Sequence, residues 1–291
     1  MTIQDALERA KQLRKTREGA PPVARPEQPR STLDDTASLA VLREPVPEAP
    51  ESQVRYEPLG RVDFDAATCE ESNVLLTAEQ LAKAGRAAAS YRLMRGRVIH
   101  RIKSGNWSTV GITSSGPGEG KTITTINLAM SIAREKQRMV YLLDLDMRNP
   151  SVFARTGVQP PRELSQYFDD GCEPRSVLFT TNVENLVVAG NRTSVSTASE
   201  LLASPRLDEL LKHIRRRSPG ALILIDLPPV LSTDEALVVA PRADAMFLVV
   251  CEGVTRRDSL VRATDLLSDF TVAGIIMNRS TDDVGGDYYG Y

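Results

Sequence analysis

The chain has 291 residues, with 36 basic against 38 acidic side chains, a formal net charge of −2 and a pI near 5.9, a balance that argues against a dedicated nucleic-acid binder. Three widely spaced cysteines, Cys69, Cys172 and Cys251, and two histidines make no metal-ligand cluster and fit a reducing cytoplasm rather than a disulfide-stapled secreted domain. No apolar run reaches the roughly 18 residues of a spanning helix and the N-terminus lacks a signal-peptide core, so the expectation is a cytoplasmic protein whose membrane attachment is borrowed.

In chain order, residues 1–15 place Ile3, Leu7, Ala10 and Leu13 near one helical face with charge opposite, which reads as a short, mostly solvated helix or as a docking helix for a partner or membrane surface. Pro21, Pro22, Pro26, Pro29, Pro45, Pro47 and Pro50 follow among Arg, Glu and Ser, the composition of a disordered linker. The expected organisation is an N-terminal extension over residues 1–75, an α/β domain over 76–280 and a tail over 281–291. From Thr77 onward helical patterns alternate with apolar strands at 110–113, 139–143, 186–189, 222–225, 246–251 and 274–277. That alternation predicts a doubly wound, mainly parallel sheet, and right-handed crossovers bring the loops after its strands to one edge. The region is long enough to bury a core without metals or disulfides.

The first strand enters Gly111-Ile-Thr-Ser-Ser-Gly-Pro-Gly-Glu-Gly-Lys-Thr122. An apolar strand, a Gly-rich turn and Lys-Thr at a helix N-terminus together build a cradle for a nucleoside triphosphate. Gly116, Gly118 and Gly120 let backbone N–H groups point inward, Lys121 reaches the β- and γ-phosphates, and Thr122 offers a hydroxyl to Mg²⁺. Glu119 and Thr124 complete the expected nucleotide-binding set. Ile123, Ile126, Ala129, Met130 and Ala133 supply the apolar content of the following helix, over 122–135. Ser115 stands where the strict consensus has glycine.

Two more apolar runs end in carboxylates: Val140-Tyr-Leu-Leu-Asp-Leu-Asp-Met-Arg148 and Ala221-Leu-Ile-Leu-Ile-Asp-Leu-Pro-Pro229. One such carboxylate alone fits a helix cap or a solvated turn, but Asp144, Asp146 and Asp226 in order behind a P-loop are the acidic partners of a Mg-nucleotide site. Asp146 and Asp226 join Thr122 as expected Mg²⁺ ligands. The chain closes Asp282-Asp-Val-Gly-Gly-Asp-Tyr-Tyr-Gly-Tyr291, an acidic, Gly-rich peptide expected to be flexible, with rings that either thread into a neighbouring active site or dock on their own domain.

These motifs resemble Walker A, Walker A′ and Walker B of the bacterial tyrosine kinases, whose P-loop NTPase scaffold is of the MinD/ParA-like type. The A′ pattern, three apolar residues and Asp-x-Asp-x-Arg, is met by Tyr141, Leu142, Leu143, Asp144, Asp146 and Arg148, and Walker B by Ile225 to Pro229. The likeness continues through Ser199-Glu-Leu-Leu202, Thr233-Asp-Glu-Ala236 and Gly274-Ile-Ile-Met-Asn278. The opening resembles the exosortase-associated subgroup. Sister ATPases of the partitioning and septum-positioning type carry a second lysine where this chain has Gly116, which favours the kinase branch.

The resemblance implies ATP and Mg²⁺ as cofactors and Lys121, Asp144, Asp146, Asp226 and Arg148 as catalytic residues. Asp144 would orient or deprotonate the acceptor tyrosine, an ordinary carboxylate pKa of about 3.9 favouring orientation. Arg148 would neutralise transition-state charge or pair with a nearby carboxylate. Asn278 and Arg279 would contact adenine. Tyr288, Tyr289 and Tyr291 would be phosphoacceptors, used in trans within a homo-oligomer. The family's oligomerisation pattern Glu-x-x-Arg-x-x-Arg is kept at Arg92 and Arg95 but has Ala89 for Glu, which implies a weakened ring or a solvated basic helix face shared with Arg97 and Arg101. An inner-membrane chain-length-determinant protein would supply the anchor and an activating segment, in the regulation of exopolysaccharide polymerisation, chain length or export. Two alternatives stand beside this: an ATPase switch that controls dimerisation, and a non-catalytic nucleotide-binding scaffold.

Overall fold

The computed structural model describes residues 60–280. The N-terminal helix, the Pro-rich stretch and the tail with Tyr288, Tyr289 and Tyr291 lie outside the described residues. In chain order the elements are β1 (Gly60–Arg61), α1 (Ala66–Glu71), α2 (Ala78–Ala84), α3 (Arg86–Gly105), β2 (Thr109–Ser114), α4 (Lys121–Ala133), β3 (Val140–Asp144), α5 (Val152–Thr156), α6 (Leu164–Asp170), β4 (Phe179–Thr180), β5 (Leu186–Ala189), α7 (Ala198–Ala203), α8 (Pro205–Arg217), β6 (Leu222–Asp226), α9 (Glu235–Val239), β7 (Ala245–Cys251), α10 (Arg257–Leu266) and β8 (Val272–Asn278). The strands form one sheet in the order β1-β4-β5-β3-β6-β2-β7-β8. Its neighbours run parallel except β4 against β5.

The sheet is parallel because each long strand returns through a helix, and its central strands are aliphatic on both faces because helices cover both. β2, β3 and β6 are buried along their whole length. On one face Val98 and Ile102 of α3 and Ile126, Leu128, Met130 and Ile132 of α4 pack on the sheet. On the other, Leu207, Leu210, Leu211 and Ile214 of α8 form the apolar stripe, at the i, i+3, i+4, i+7 spacing of an amphipathic helix, together with Leu202 of α7 and Ala263 of α10. Right-handed returns bring the loops after β2, β3 and β6 to the same edge.

The domain reaches back further than the expected boundary at residue 76. Val62, Phe64, Cys69 and Val74 are buried in the α3–α4 face of the core, and β1 pairs with β4. This segment shows no periodicity in sequence, and polar anchors hold its end. Asn127 of α4 accepts from the Leu75 N–H at 2.8 Å and donates to the Asn73 carbonyl at 3.0 Å, and Arg134 donates to the carbonyls of Leu75 and Leu76. Among the described residues no helix is long and apolar enough to cross a membrane.

Candidate active site

β2 ends at Ser114, and α4 begins at Lys121 with Gly120 as its N-cap at φ +90°. A side chain at Gly120 would place its Cβ 2.0 Å from the Asn278 amide nitrogen, so the turn is fixed both by the left-handed φ and by the close approach of β8. Gly118 also has a positive φ, +77°.

The three aspartates converge below this turn because β3 and β6 are adjacent, with Asp144 and Asp226 paired in register. Lys121 Nζ lies 2.7 Å from an Asp146 carboxylate oxygen and 3.3 Å from Asp226. Thr122 Oγ1 donates to Asp226 at 2.6 Å and Thr125 Oγ1 to the other Asp226 oxygen at 3.1 Å. Burial raises the Asp226 pKa despite the opposing pull of Lys121 and Thr122. For Lys121, burial lowers the ammonium's pKa, but Asp226 and Asp146 outweigh it, and the net shift is upward, which holds the side chain cationic.

Asp144 corrects the sequence-based picture of an ordinary carboxylate. It is fully buried. One oxygen accepts from the N–H groups of Ser151 and Val152, both at 2.9 Å, and the other from the Asp146 N–H at 3.2 Å. Burial first, then the charge of Asp226, pushes its pKa up to about 7. Asp144 thus holds the turn that presents Asp146, and Gly190 is required beside it because a Cβ there would meet Asp144 Cβ at 2.9 Å.

Other expected site residues fall around this centre in different ways. Arg148 ion-pairs with the carboxylate of Glu235, a buried residue of α9. Asn278 turns to the P-loop, its amide donating to the Glu119 carbonyl at 2.9 Å, while the Arg279 N–H donates to the Asn278 side-chain oxygen at 2.9 Å. The Thr124 side chain lies against the Tyr91 hydroxyl of α3, and it is Thr125, absent from the expected set, that reaches Asp226. Arg95 does not form a free basic face: it pairs with Glu135 at 2.7 Å and donates to the Ser131 carbonyl at 3.2 Å. Arg101 donates to the Ala273 carbonyl. Sequence reasoning missed Thr125 and Thr255, of which only Thr125 had a local signal, one helical turn from Lys121; Glu235 stood in the stretch over 233–236 without a role.

The donors present fit a hard divalent cation. Among the described residues no group of three or more His, Cys, Asp or Glu is placed to hold a metal by itself. A threonine hydroxyl beside one or two carboxylates is instead the kind of site at which Mg²⁺ keeps waters and substrate phosphates as its remaining ligands.

No protein-family model matches the chain. It is similar to the tyrosine-protein kinase CpsD of Streptococcus pneumoniae, 29% identical over 187 residues that make up 62% of this chain and 79% of that one. It is similar also to the tyrosine-protein kinase YwqD of Bacillus subtilis, 27% identical over 190 residues, 65% of this chain and 79% of that one. The kinase domain of VpsO superposes with a TM-score of 0.61 at 25% identity, over 68% of this chain and 98% of that domain. In sequence and in fold the chain is thus similar to bacterial tyrosine-protein kinases. Lys121, Thr122, Asp146 and Asp226 meet at the carboxyl edge of the sheet, where open α/β sheets bind their ligands.

Proposed function

We propose that the chain is an ATP-dependent protein-tyrosine autokinase that regulates exopolysaccharide polymerisation, chain length or export. The observation that carries this is the Lys121 ammonium held between Asp146 and Asp226 at the mouth of a P-loop, in a chain similar to bacterial tyrosine-protein kinases.

The protein's task in phosphoryl transfer is positioning and charge neutralisation. On entry of ATP, Lys121 exchanges its carboxylate partners for the β- and γ-phosphate oxygens, and the N–H groups of the turn over 118–122 hold the phosphates from the other side. Thr122 and Asp226, with Asp146 directly or through water, would hold Mg²⁺, which when bound would supply positive charge to offset that of the phosphates. Asp144, with a pKa near 7, serves the acceptor hydroxyl as the family resemblance implies, and that pKa suits it to take the proton near neutral pH. Arg148, set by Glu235, lies on the same loop as Asp146 and supplies positive charge at its rim. Asn278 and Arg279 are the proposed adenine contacts.

Tyr288, Tyr289 and Tyr291 are the proposed acceptors, phosphorylated in trans between subunits. Each phosphate adds about −1.5 to −2 charge to a peptide already acidic, which repels it from the aspartate cluster and favours release. A membrane chain-length-determinant protein would recruit this cytoplasmic chain to the inner membrane and activate it.

A mixing experiment tests the trans reading. Protein ending at Ser280 is incubated with Mg-ATP and with full-length Lys121→Met protein. Phosphotyrosine on the Lys121→Met chain is expected, faster when the partner's cytoplasmic segment is added. ATP turnover with no phosphotyrosine on either chain would favour the ATPase switch.

A further inference from the structure

Glu119 lies inside the P-loop yet is only 4% exposed, and its carboxylate turns back onto the start of the loop. One oxygen accepts from the Ser115 N–H at 2.8 Å and the Gly116 N–H at 3.1 Å. The other accepts from the Ser115 hydroxyl at 2.7 Å and the Thr255 hydroxyl at 2.6 Å. Thr255 sits in the loop between β7 and α10, where its Oγ1 also accepts from the Cys251 N–H at 2.8 Å. The main-chain carbonyl of Glu119 accepts from the Asn278 amide at 2.9 Å. A single residue therefore joins the start of the P-loop, the loop after β7 and the end of β8.

A negative charge here is electrostatically unfavourable for a loop that must hold a triphosphate, so its presence calls for a geometric reason. Ser115 replaces the consensus glycine, and its hydroxyl is spent on Glu119. If the carboxylate were removed, the buried Ser115 N–H and the half-buried Gly116 N–H would both lose their acceptor, which is costly for a donor held out of water.

We propose that Glu119 is a positioning residue: it braces the P-loop in its phosphate-ready curve and ties it to the β7–α10 loop, acting as an acceptor and not as a charge. The inference rests on the reading of residues 115–122 as the nucleotide site. It has an unusual chemical corollary. The oxygen that faces N–H groups must be an acceptor, but the oxygen that faces two hydroxyls need not be, because each hydroxyl has lone pairs to offer. A glutamine oriented with its oxygen toward Ser115 and Gly116 therefore keeps the brace without the charge.

The test is a titration with a fluorescent methylanthraniloyl-ATP in Mg²⁺, read beside amide hydrogen exchange at Ser115 and Gly116, on wild type and on Glu119→Ala, Glu119→Gln, Thr255→Ala, the Glu119→Ala/Thr255→Ala double variant and Lys121→Met. Glu119→Ala is expected to weaken binding by about tenfold or more and to speed exchange at both amides. Glu119→Gln should recover affinity to within about threefold of wild type, with slow exchange, since less than 1 kcal/mol separates the two. Thr255→Ala should weaken binding by itself but add nothing in the Glu119→Ala background. Wild-type affinity in Glu119→Ala with unchanged exchange would overturn the brace, and Glu119→Gln as weak as Glu119→Ala would show that the charge is what matters. Should wild type bind no better than Lys121→Met, the nucleotide reading itself fails, while the exchange rates still decide whether Glu119 holds the loop.

Discussion

β6 and β8 are both short aliphatic strands that end in a polar residue, Asp226 in one and Asn278 in the other, yet every residue of β6 is buried while Ile275 and Met277 of β8 are 52% and 54% exposed. β6 lies between β3 and β2, and among the described residues β8 has only β7 beside it. Place in the sheet, not hydrophobicity, decides how dry the strand's end is, and dryness decides its chemistry. At the end of β6 a carboxylate is desolvated and coupled to Lys121. At the end of β8 an amide makes neutral hydrogen bonds and acts as scaffolding for the P-loop. The charged work of the site is placed where the sheet is widest and the supporting work at its rim.

The largest effect that would sharpen this contrast is in stability. Leu224→Ala, in the middle of β6, is expected to cost about 2–5 kcal/mol in denaturant unfolding, the usual range for a buried leucine. A loss under about 1 kcal/mol would mean the centre is less tightly packed than its burial implies.

Gly120→Ala carries the contrast to the rim. The new methyl collides with the Asn278 amide and the residue keeps an unfavourable φ, so nucleotide affinity by calorimetry should fall at least about tenfold. Asn278→Ala in the same chain should recover part of that loss, because it removes the collision but leaves the φ. Equal affinities for the single and double variants would show that β8 does not constrain the turn.

The raised pKa of Asp144 gives a third comparison, made in chelator without nucleotide. A carboxyl whose folded-state pKa lies above its unfolded value contributes stability that is fully present below about pH 4 and is lost as pH rises through about 7. Asp144→Asn removes that titration. The unfolding midpoint of wild type should therefore fall relative to the variant between pH 5 and pH 8, and parallel profiles would show that the carboxyl is solvated. The smallest effect is expected at the rim: Ile275→Ser, on the half-exposed strand, should change stability by about 0.5 kcal/mol or less.

Much of the centre was legible in the chain because it is locally encoded. An aliphatic run of four or five residues that ends in Asp marks a parallel strand and its functional tip together, and Lys121-Thr122 marks the helix that faces it. The edge strands were not legible in the same way. β1 and β4 are two residues each, too short for any alternation, and the end of the segment before residue 77 is held by Asn127 and Arg134 through the backbone of Asn73, Leu75 and Leu76. The partners of site residues were also out of reach. Glu119 and Thr255 are 136 positions apart and Arg148 and Glu235 are 87 apart, so those pairings exist only once the sheet order is set. The raised pKa of Asp144 has the same origin, since burial between β3 and β6 and the register with Asp226 are products of the fold.

The most direct measurement is mass spectrometry of the C-terminal peptide after purified full-length protein has been incubated with Mg-ATP and the partner's cytoplasmic segment, beside a Lys121→Met control. Phosphate on Tyr288, Tyr289 or Tyr291 in wild type and none in the control is the expected result. An unmodified tail in a wild-type protein that still consumes ATP would contradict a tyrosine autokinase built on the Lys121 site.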